Sequence, residues 1–203
     1  MLFEGNERKQ NELEMKQAGR LPPGQSLTLK WPVLQYGSVP RFDATRWDFR
    51  ISGLVEHPLR LTWEEFNQLP KFQVTRDFHC VTRWSRFDNL WEGVAFREVE
   101  RRAQPKPSAR YVLVHGEQGY TANIPRADLE REDVLFATHH DGQPLTPDHG
   151  YPLRLIVPHL YGWKSVKWVR ELEFLDHDQL GFWEQNGYNR YGDPWKEQRY
   201  DTD

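Results

Sequence analysis

Asp77-Phe-His-Cys-Val-Thr-Arg-Trp-Ser-Arg86, followed by Trp91-Glu-Gly93, is the stretch on which the reading of this chain turns. Val74 to Val81 has the apolar, β-rich composition of a strand, and it runs into Cys80, the only cysteine in the sequence. A lone cysteine is in most proteins a small buried hydrophobe. Its flanks give this one a second reading. His79, Arg76, Arg83 and Arg86 place positive charge beside it, which lowers a thiol pKa and favours the thiolate, the form that binds metal. A hydrolytic pairing of Cys80 with His79 is disfavoured, because neighbours on a strand face apart.

The second informative stretch is Asp148-His-Gly-Tyr-Pro-Leu-Arg154-Leu-Ile-Val-Pro-His-Leu-Tyr-Gly162-Trp-Lys-Ser-Val-Lys-Trp168. Arg154 opens an apolar strand, and Gly162 begins a turn holding Lys164, Ser165 and Lys167. Exposed backbone N–H groups, a hydroxyl and two ammonium groups suit a phosphate or pyrophosphate. The plainer alternative is a solvated loop with ordinary lysines. Rossmann and Walker motifs are absent, so the common nucleotide-binding loops do not account for the turn.

Outward from these stretches the chain reads as short strands and helices. Residues 1–20 are charged and form at most a marginal helix, broken by Leu21-Pro-Pro-Gly24. Phe49, Ile51 and Leu54 suggest a strand ending at His57-Pro58. Thr62-Trp-Glu-Glu65 has the capping-box spacing and opens a short helix that stops near Pro70. Trp91-Glu-Gly93 reads as the start of a turn, and Val94–Arg102 has helical spacing with a charged outer face. Tyr111–Val114, Tyr120–Ile124, Val134–Ala137, Leu153–Val157 and Val169–Phe174 read as strands. The last 25 residues are aromatic and polar without periodicity, which predicts a tail wrapped on the surface. Without regular βαβ alternation the expectation is an α+β, strand-rich domain with short helices and a mixed sheet. It divides into a charged extension (1–24), the main domain (25–178) and the tail (179–203).

Composition narrows the functions. Lys+Arg 27 against Asp+Glu 30 gives a net charge of −3, which argues against a general nucleic-acid or anionic-membrane binder. One cysteine excludes an intramolecular disulfide framework and multi-cysteine zinc sites. Adjacent His139 and His140 point to opposite strand faces, which disfavours a metal site there. The N-terminus has no apolar run long enough for a signal peptide or membrane span and no adjacent arginine pair, so a cytoplasmic location is expected. Nine Trp, eight Tyr and eleven Phe predict a core and a pocket built from rings.

Taken together, Cys80-Val-Thr-Arg-Trp-Ser85 with Trp91-Glu-Gly93, then Asp148-His-Gly-Tyr-Pro-Leu-Arg154, Val157-Pro158 and Gly162-Trp-Lys-Ser-Val-Lys-Trp168, resemble the molybdopterin-binding domain of the sulfite oxidase family. The resemblance covers roughly residues 30–175 and is strongest to the short bacterial sulfite oxidase-like oxidoreductases. It implies the sulfite oxidase-type fold, a Mo-molybdopterin cofactor, and transfer of an oxygen atom and two electrons to or from a small substrate. It also implies residue roles. Cys80 matches the family's molybdenum ligand. His149 and Arg154 match contacts to the pterin and its phosphate, and Ser165, Val166 and Lys167 match the turn that completes the phosphate site. His115 and Gly116 fall where the family meets the cofactor after a strand, and Gln35 and Tyr36 lie in the N-terminal contact segment. A thiolate is the soft third ligand that a dithiolene-bound metal favours.

Departures from the family pattern shape the remaining expectations. Leu34-Gln35-Tyr36 carries no arginine where animal sulfite oxidases bind sulfite, which weakens sulfite specificity in favour of an S-oxide or N-oxide. The haem motif of the cytochrome b5-like domain and the extra dimerisation domain are missing. A monomer exchanging electrons with a separate cytochrome, flavoprotein or quinone-linked partner is therefore expected. A cofactor carrier with the same fold but no turnover is the competing class.

Overall fold

The apolar runs of the second half are buried from both sides, and this sets the architecture. The computed structural model describes residues 2–203, with side chains from residue 7 onward. It contains two mixed sheets. The first holds β1 (Ser26–Leu27), β4 (Lys71–Cys80), β5 (Trp84–Ala95), β8 (Leu135–His140), β9 (Gln143–Pro144) and β10 (Arg154–Ile156). Its hub is β5, antiparallel to β4 and β8 and parallel to β1. The second sheet runs in the order β3 (Leu59–Thr62), β2 (Asp48–Gly53), β11 (Val169–Leu175), β6 (Tyr111–Gly116) and β7 (Thr121–Pro125). The helices are α1 (Leu2–Gln17), α2 (Trp63–Asn67), α3 (Phe96–Ala103), α4 (Arg126–Leu129) and α5 (Phe182–Gln185). This is the expected α+β, strand-rich fold.

Alternation along β8 explains the packing. Phe136 faces the main core, while Leu135 and Ala137 face a second cluster with Phe78, Trp91 and Ile156. The continuous apolar run is thus a strand with no solvent face. In the main core Phe49, Phe66, Phe96, Phe136 and Phe174 meet in pairs with centroids 5.0 to 6.3 Å apart, within the range of favourable ring contacts.

Local signals place several elements where the sequence predicts them. Thr62 and Glu65 form the reciprocal capping box, and α2 follows it. The predicted helix over 1–20 is α1; Met1 lies outside the described residues. Two expectations are corrected. Trp91-Glu-Gly93 starts no turn but lies inside the twelve-residue β5. Gly93 sits at a bulge against β8, where a Cβ would run into the Phe136 carbonyl, so close backbone approach explains the glycine. The following helix starts at Phe96, because β5 continues through Ala95. The strand β3 had no clear signal in the sequence.

Both ends of the chain pack onto this frame. Glu12 of α1 accepts from the Leu27 amide at 2.9 Å, and Arg20 donates to Asp77 at 2.7 and 3.0 Å. From the tail, Glu184 forms an ion pair with Lys164 of the main domain at 2.6 Å, with neither side chain exposed. Among the described residues no helix is long and apolar enough to cross a membrane.

Candidate active site at the Cys80 cleft

Cys80 ends β4, and Val81–Arg83 turn the chain into β5. The Arg83 amide closes the turn on the Cys80 carbonyl at 3.1 Å, with Arg83 at φ 71°. From the other side Gly162 presses on the end of β4. Its amide donates to the His79 carbonyl at 2.8 Å, and the Phe78 ring occupies the space a Cβ would need. Cys80 Sγ lies 3.1 Å from the Thr82 hydroxyl. His79 faces away, with Nδ1 2.8 Å from the Ser85 hydroxyl, so it makes no catalytic pair with the cysteine.

The thiol opens into a cleft of about 250 Å³. Trp31 and Leu34-Gln35-Tyr36 form one wall, and the turn Ser165-Val166-Lys167 another. Trp183 and Tyr188 of the tail complete the rim. Arg154 lies at the floor, only 4% exposed, with its guanidinium 5.1 Å from the Phe78 ring centre and 5.4 Å from that of Trp31.

The electrostatics differ from the sequence expectation. Burial pushes the Cys80 thiol up, not down; the Thr82 hydrogen bonds and the charges of Arg154 and Arg199 oppose that rise. Two of the flanking arginines are occupied elsewhere: Arg76 pairs with Asp133 at 2.8 Å, and Arg86 with Asp141 at 2.6 Å. His79 is held neutral by burial, with a pKa of about 4. The cations that do face the cleft are Arg154 and Lys167. Burial lowers Arg154 to about 10, and burial followed by the Arg154 charge lowers Lys167 to about 7. Arg154 donates to the His149 carbonyl at 3.1 Å; Lys167 donates to the Asp148 carbonyl at 2.5 Å and lies 3.5 Å from the Gln35 amide oxygen. Among the described residues neither has a carboxylate within ion-pair distance.

Other residues singled out in the sequence fall at varied distances from the cleft. Gln35, Tyr36, Arg154, Ser165, Val166 and Lys167 line it together with Cys80. His149 stands behind the wall, stacked on Trp31 at 3.9 Å; its Nε2 donates to the Trp31 carbonyl at 3.1 Å, which fixes the tautomer. His115 lies apart, 3.0 Å from Glu173, and Gly116 packs behind Lys167. Lys164 is not an exposed phosphate ligand: it is fully buried and bound to Glu184, Asn123 and the Arg190 carbonyl. Ser165 turns inward and accepts from the Val157 amide at 3.0 Å. Trp31, Trp183, Tyr188, Gln25 and Arg199 had no local signal, since each reaches the site from a distant part of the chain.

The donor set fits a molybdopterin. Among the described residues no cluster of three His, Cys, Asp or Glu side chains would hold a bare ion, so a metal beside Cys80 needs ligands brought by a cofactor. Arg154 Nε and Trp84 Nε1 are buried without a hydrogen-bond partner, and Arg154 and Lys167 offer unpaired charge to an anion. A single soft sulfur with a basic floor and aromatic walls defines a site for a sulfur-ligated metal cofactor carrying a phosphate.

Comparison with known proteins gives the class its family. Residues 36–183 match the oxidoreductase molybdopterin-binding domain, and the chain belongs to that family. It is 47% identical over 188 residues to the uncharacterized oxidoreductase YuiH of Bacillus subtilis, covering 92% of this chain and 95% of that protein. It is 30% identical over 174 residues to the putative protein-methionine-sulfoxide reductase subunit YedZ1 of Azospira oryzae, covering 84% of this chain and 66% of that one. The sulfane dehydrogenase SoxCD of Paracoccus pantotrophus superposes with a TM-score of 0.62 at 25% identity, over 68% of this chain and 40% of that chain. The protein is a molybdopterin-dependent oxidoreductase of the sulfite oxidase-like type.

Proposed function

We propose that the chain moves an oxygen atom and two electrons between molybdenum and a small substrate, with Cys80 as the protein's ligand to the metal. The observation that carries this is a cysteine thiol opening into an aromatic cleft lined by a buried Arg154 and a half-buried Lys167, neither of which has a carboxylate within ion-pair distance among the described residues. The cofactor, when bound, supplies the dithiolene sulfurs and the redox-active metal. The chain's own residues do the rest. Arg154 and Lys167 are the charge-assisted donors for the pterin phosphate, and Ser165 and Val166 shape the turn that presents Lys167. Gln35 and Tyr36 close the cleft from the N-terminal segment, and Trp31 braces Arg154 and His149.

Within this reaction we favour reduction of an S-oxide or N-oxide. The rim is aromatic, and Leu34-Gln35-Tyr36 offers no fixed positive charge. The methionine-sulfoxide reductase name of one relative supports the same direction. Oxidation of a sulfite-like anion is the second reading; with Arg154 and Lys167 committed to the pterin phosphate and Arg86 paired with Asp141, Arg83 on the turn after Cys80 is the residue to supply the fixed charge that an anion in a water-poor pocket needs. We further propose a cytoplasmic monomer served by a separate electron carrier. Steady-state kinetics of cofactor-loaded protein decide the direction. S-oxides or N-oxides with reduced viologen are expected to give the higher kcat/KM; a tenfold advantage for sulfite with ferricyanide would reverse the assignment.

A further inference from the structure

Arg199 lies beyond the residues that match the family, yet it is only 3% exposed and reaches the turn that carries Cys80. Its Nη1 donates to the carbonyl of Val81, the residue after the cysteine, at 2.8 Å across 118 positions of sequence. Its Nη2 lies 3.4 Å from both the Pro23 carbonyl and the Glu197 carboxylate. The guanidinium sits 4.9 Å from the Tyr161 ring centre, and its Nε is buried without a partner. Gln25, itself buried, donates to the Cys80 carbonyl at 2.9 Å. The two carbonyls of the Cys80–Val81 pair are therefore held by side chains from opposite ends of the chain.

A fastening for the tail does not need a buried charge. Desolvating a guanidinium is costly, and an amide or an apolar contact would anchor the tail without that cost. Among the described residues the guanidinium has one ion-pair partner, Glu197, which is 46% exposed and sits at a loose 3.4 Å; Asp203, also exposed, binds only the Arg199 backbone amide, at 2.8 Å, so solvent screens both carboxylates more than it screens Arg199. A net positive field is left behind the cysteine. Fixed positive charge beside a redox centre stabilises its reduced, more negative state, and groups around a metal's ligands tune its potential in this way.

We propose that Arg199 is a positioning residue that fixes the Cys80–Val81 backbone and raises the reduction potential of the metal bound at Cys80. The proposal rests on the reading of Cys80 as the metal ligand. Its test is a mediated redox titration of holoenzyme, followed by molybdenum EPR, on protein made in a host that synthesises the cofactor. Arg199→Gln is expected to lower the potential by a several-fold change in the reduced-to-oxidised ratio, tenfold being about 59 mV for one electron. Arg199→Lys, which keeps the charge, should recover most of that shift. Glu197→Gln, which strips the exposed counter-charge, should move the potential upward. Loosening of the tail cannot produce opposite signs from these two neighbours. A wild-type potential in Arg199→Gln overturns the proposal. Should that variant not load cofactor, Glu197→Gln decides: a rise supports the proposal, and no change or a fall overturns it. The underlying reading fails separately, if loaded Cys80→Ser shows the wild-type EPR spectrum.

Discussion

Replacing Lys164 with methionine tests how the tail is held. The ammonium group is fully buried, 2.6 Å from Glu184 Oε1, and also donates to the Asn123 carbonyl at 2.8 Å, its side-chain oxygen at 2.9 Å and the Arg190 carbonyl at 2.6 Å. Burial lowers its pKa, and the adjacent Glu184 charge opposes that shift. Methionine keeps the length of the chain but leaves Glu184 as a buried carboxylate with only the Trp163 indole N–H, at 2.8 Å, to stabilise it. Breaking a buried pair from one side costs roughly 3–5 kcal/mol. For a domain of this size each kcal/mol moves Tm by roughly 2–4 °C, so a fall of roughly 6–20 °C is expected. The double variant Lys164→Met/Glu184→Gln removes both charges and should regain much of the loss, because no charge is left buried. Thermal unfolding of the cofactor-free protein, cross-checked by urea denaturation, is the assay. A single-variant loss below about 3 °C, or a double variant whose losses simply add, would show that the pair does not hold the tail.

Other outcomes follow from the same geometry. Gly93→Ala places a methyl against the Phe136 carbonyl in the sheet hub, so a loss of roughly 1–3 kcal/mol or more is expected in denaturant titration. Arg154→Ala and Lys167→Ala each remove a charge-assisted donor worth roughly 1.5–3 kcal/mol, and pterin content after long dialysis should fall by about tenfold or more. Full retention in both variants would detach these residues from the phosphate. Cofactor retention should also depend on pH. With Lys167 lowered to about 7, binding a phosphate above that pH requires proton uptake, so retention weakens as pH rises. The sign for the empty protein is opposite: from about pH 7 to the unfolded lysine value the unfolded chain carries the extra proton, so this group's contribution to stability rises with pH. Equal retention at pH 6.5 and 8.5 would contradict the assignment.

Short-range chemistry was the legible part of the fold. The Thr62–Glu65 box is a contact three residues long, and it is present with both hydrogen bonds. The apolar strands were visible from composition, whereas their assembly into a sheet buried on both faces depends on partners far along the chain. Gly93 was misread because a glycine marks a turn as readily as a close backbone approach, and only the position of β8 distinguishes the two. The charge around Cys80 failed for a similar reason. Arg76 and Arg86 are its neighbours in sequence, but their partners Asp133 and Asp141 lie more than fifty residues away. Arg154 and Lys167 stand out in the sequence through the 148–168 stretch, and the geometry adds that among the described residues no carboxylate lies within ion-pair distance of either. Trp183 and Tyr188 reach the cleft, and Arg199 the turn behind Cys80, from an aperiodic tail, where local pattern carries no information about contact.

The bond between Cys80 and molybdenum is accessible to X-ray absorption at the molybdenum edge. Loaded wild-type protein and loaded Cys80→Ser are compared for the number of sulfur neighbours of the metal. One sulfur fewer is expected in the serine variant, with pterin content preserved by Arg154 and Lys167. An unchanged sulfur shell in a fully loaded Cys80→Ser protein would contradict Cys80 as the metal's ligand.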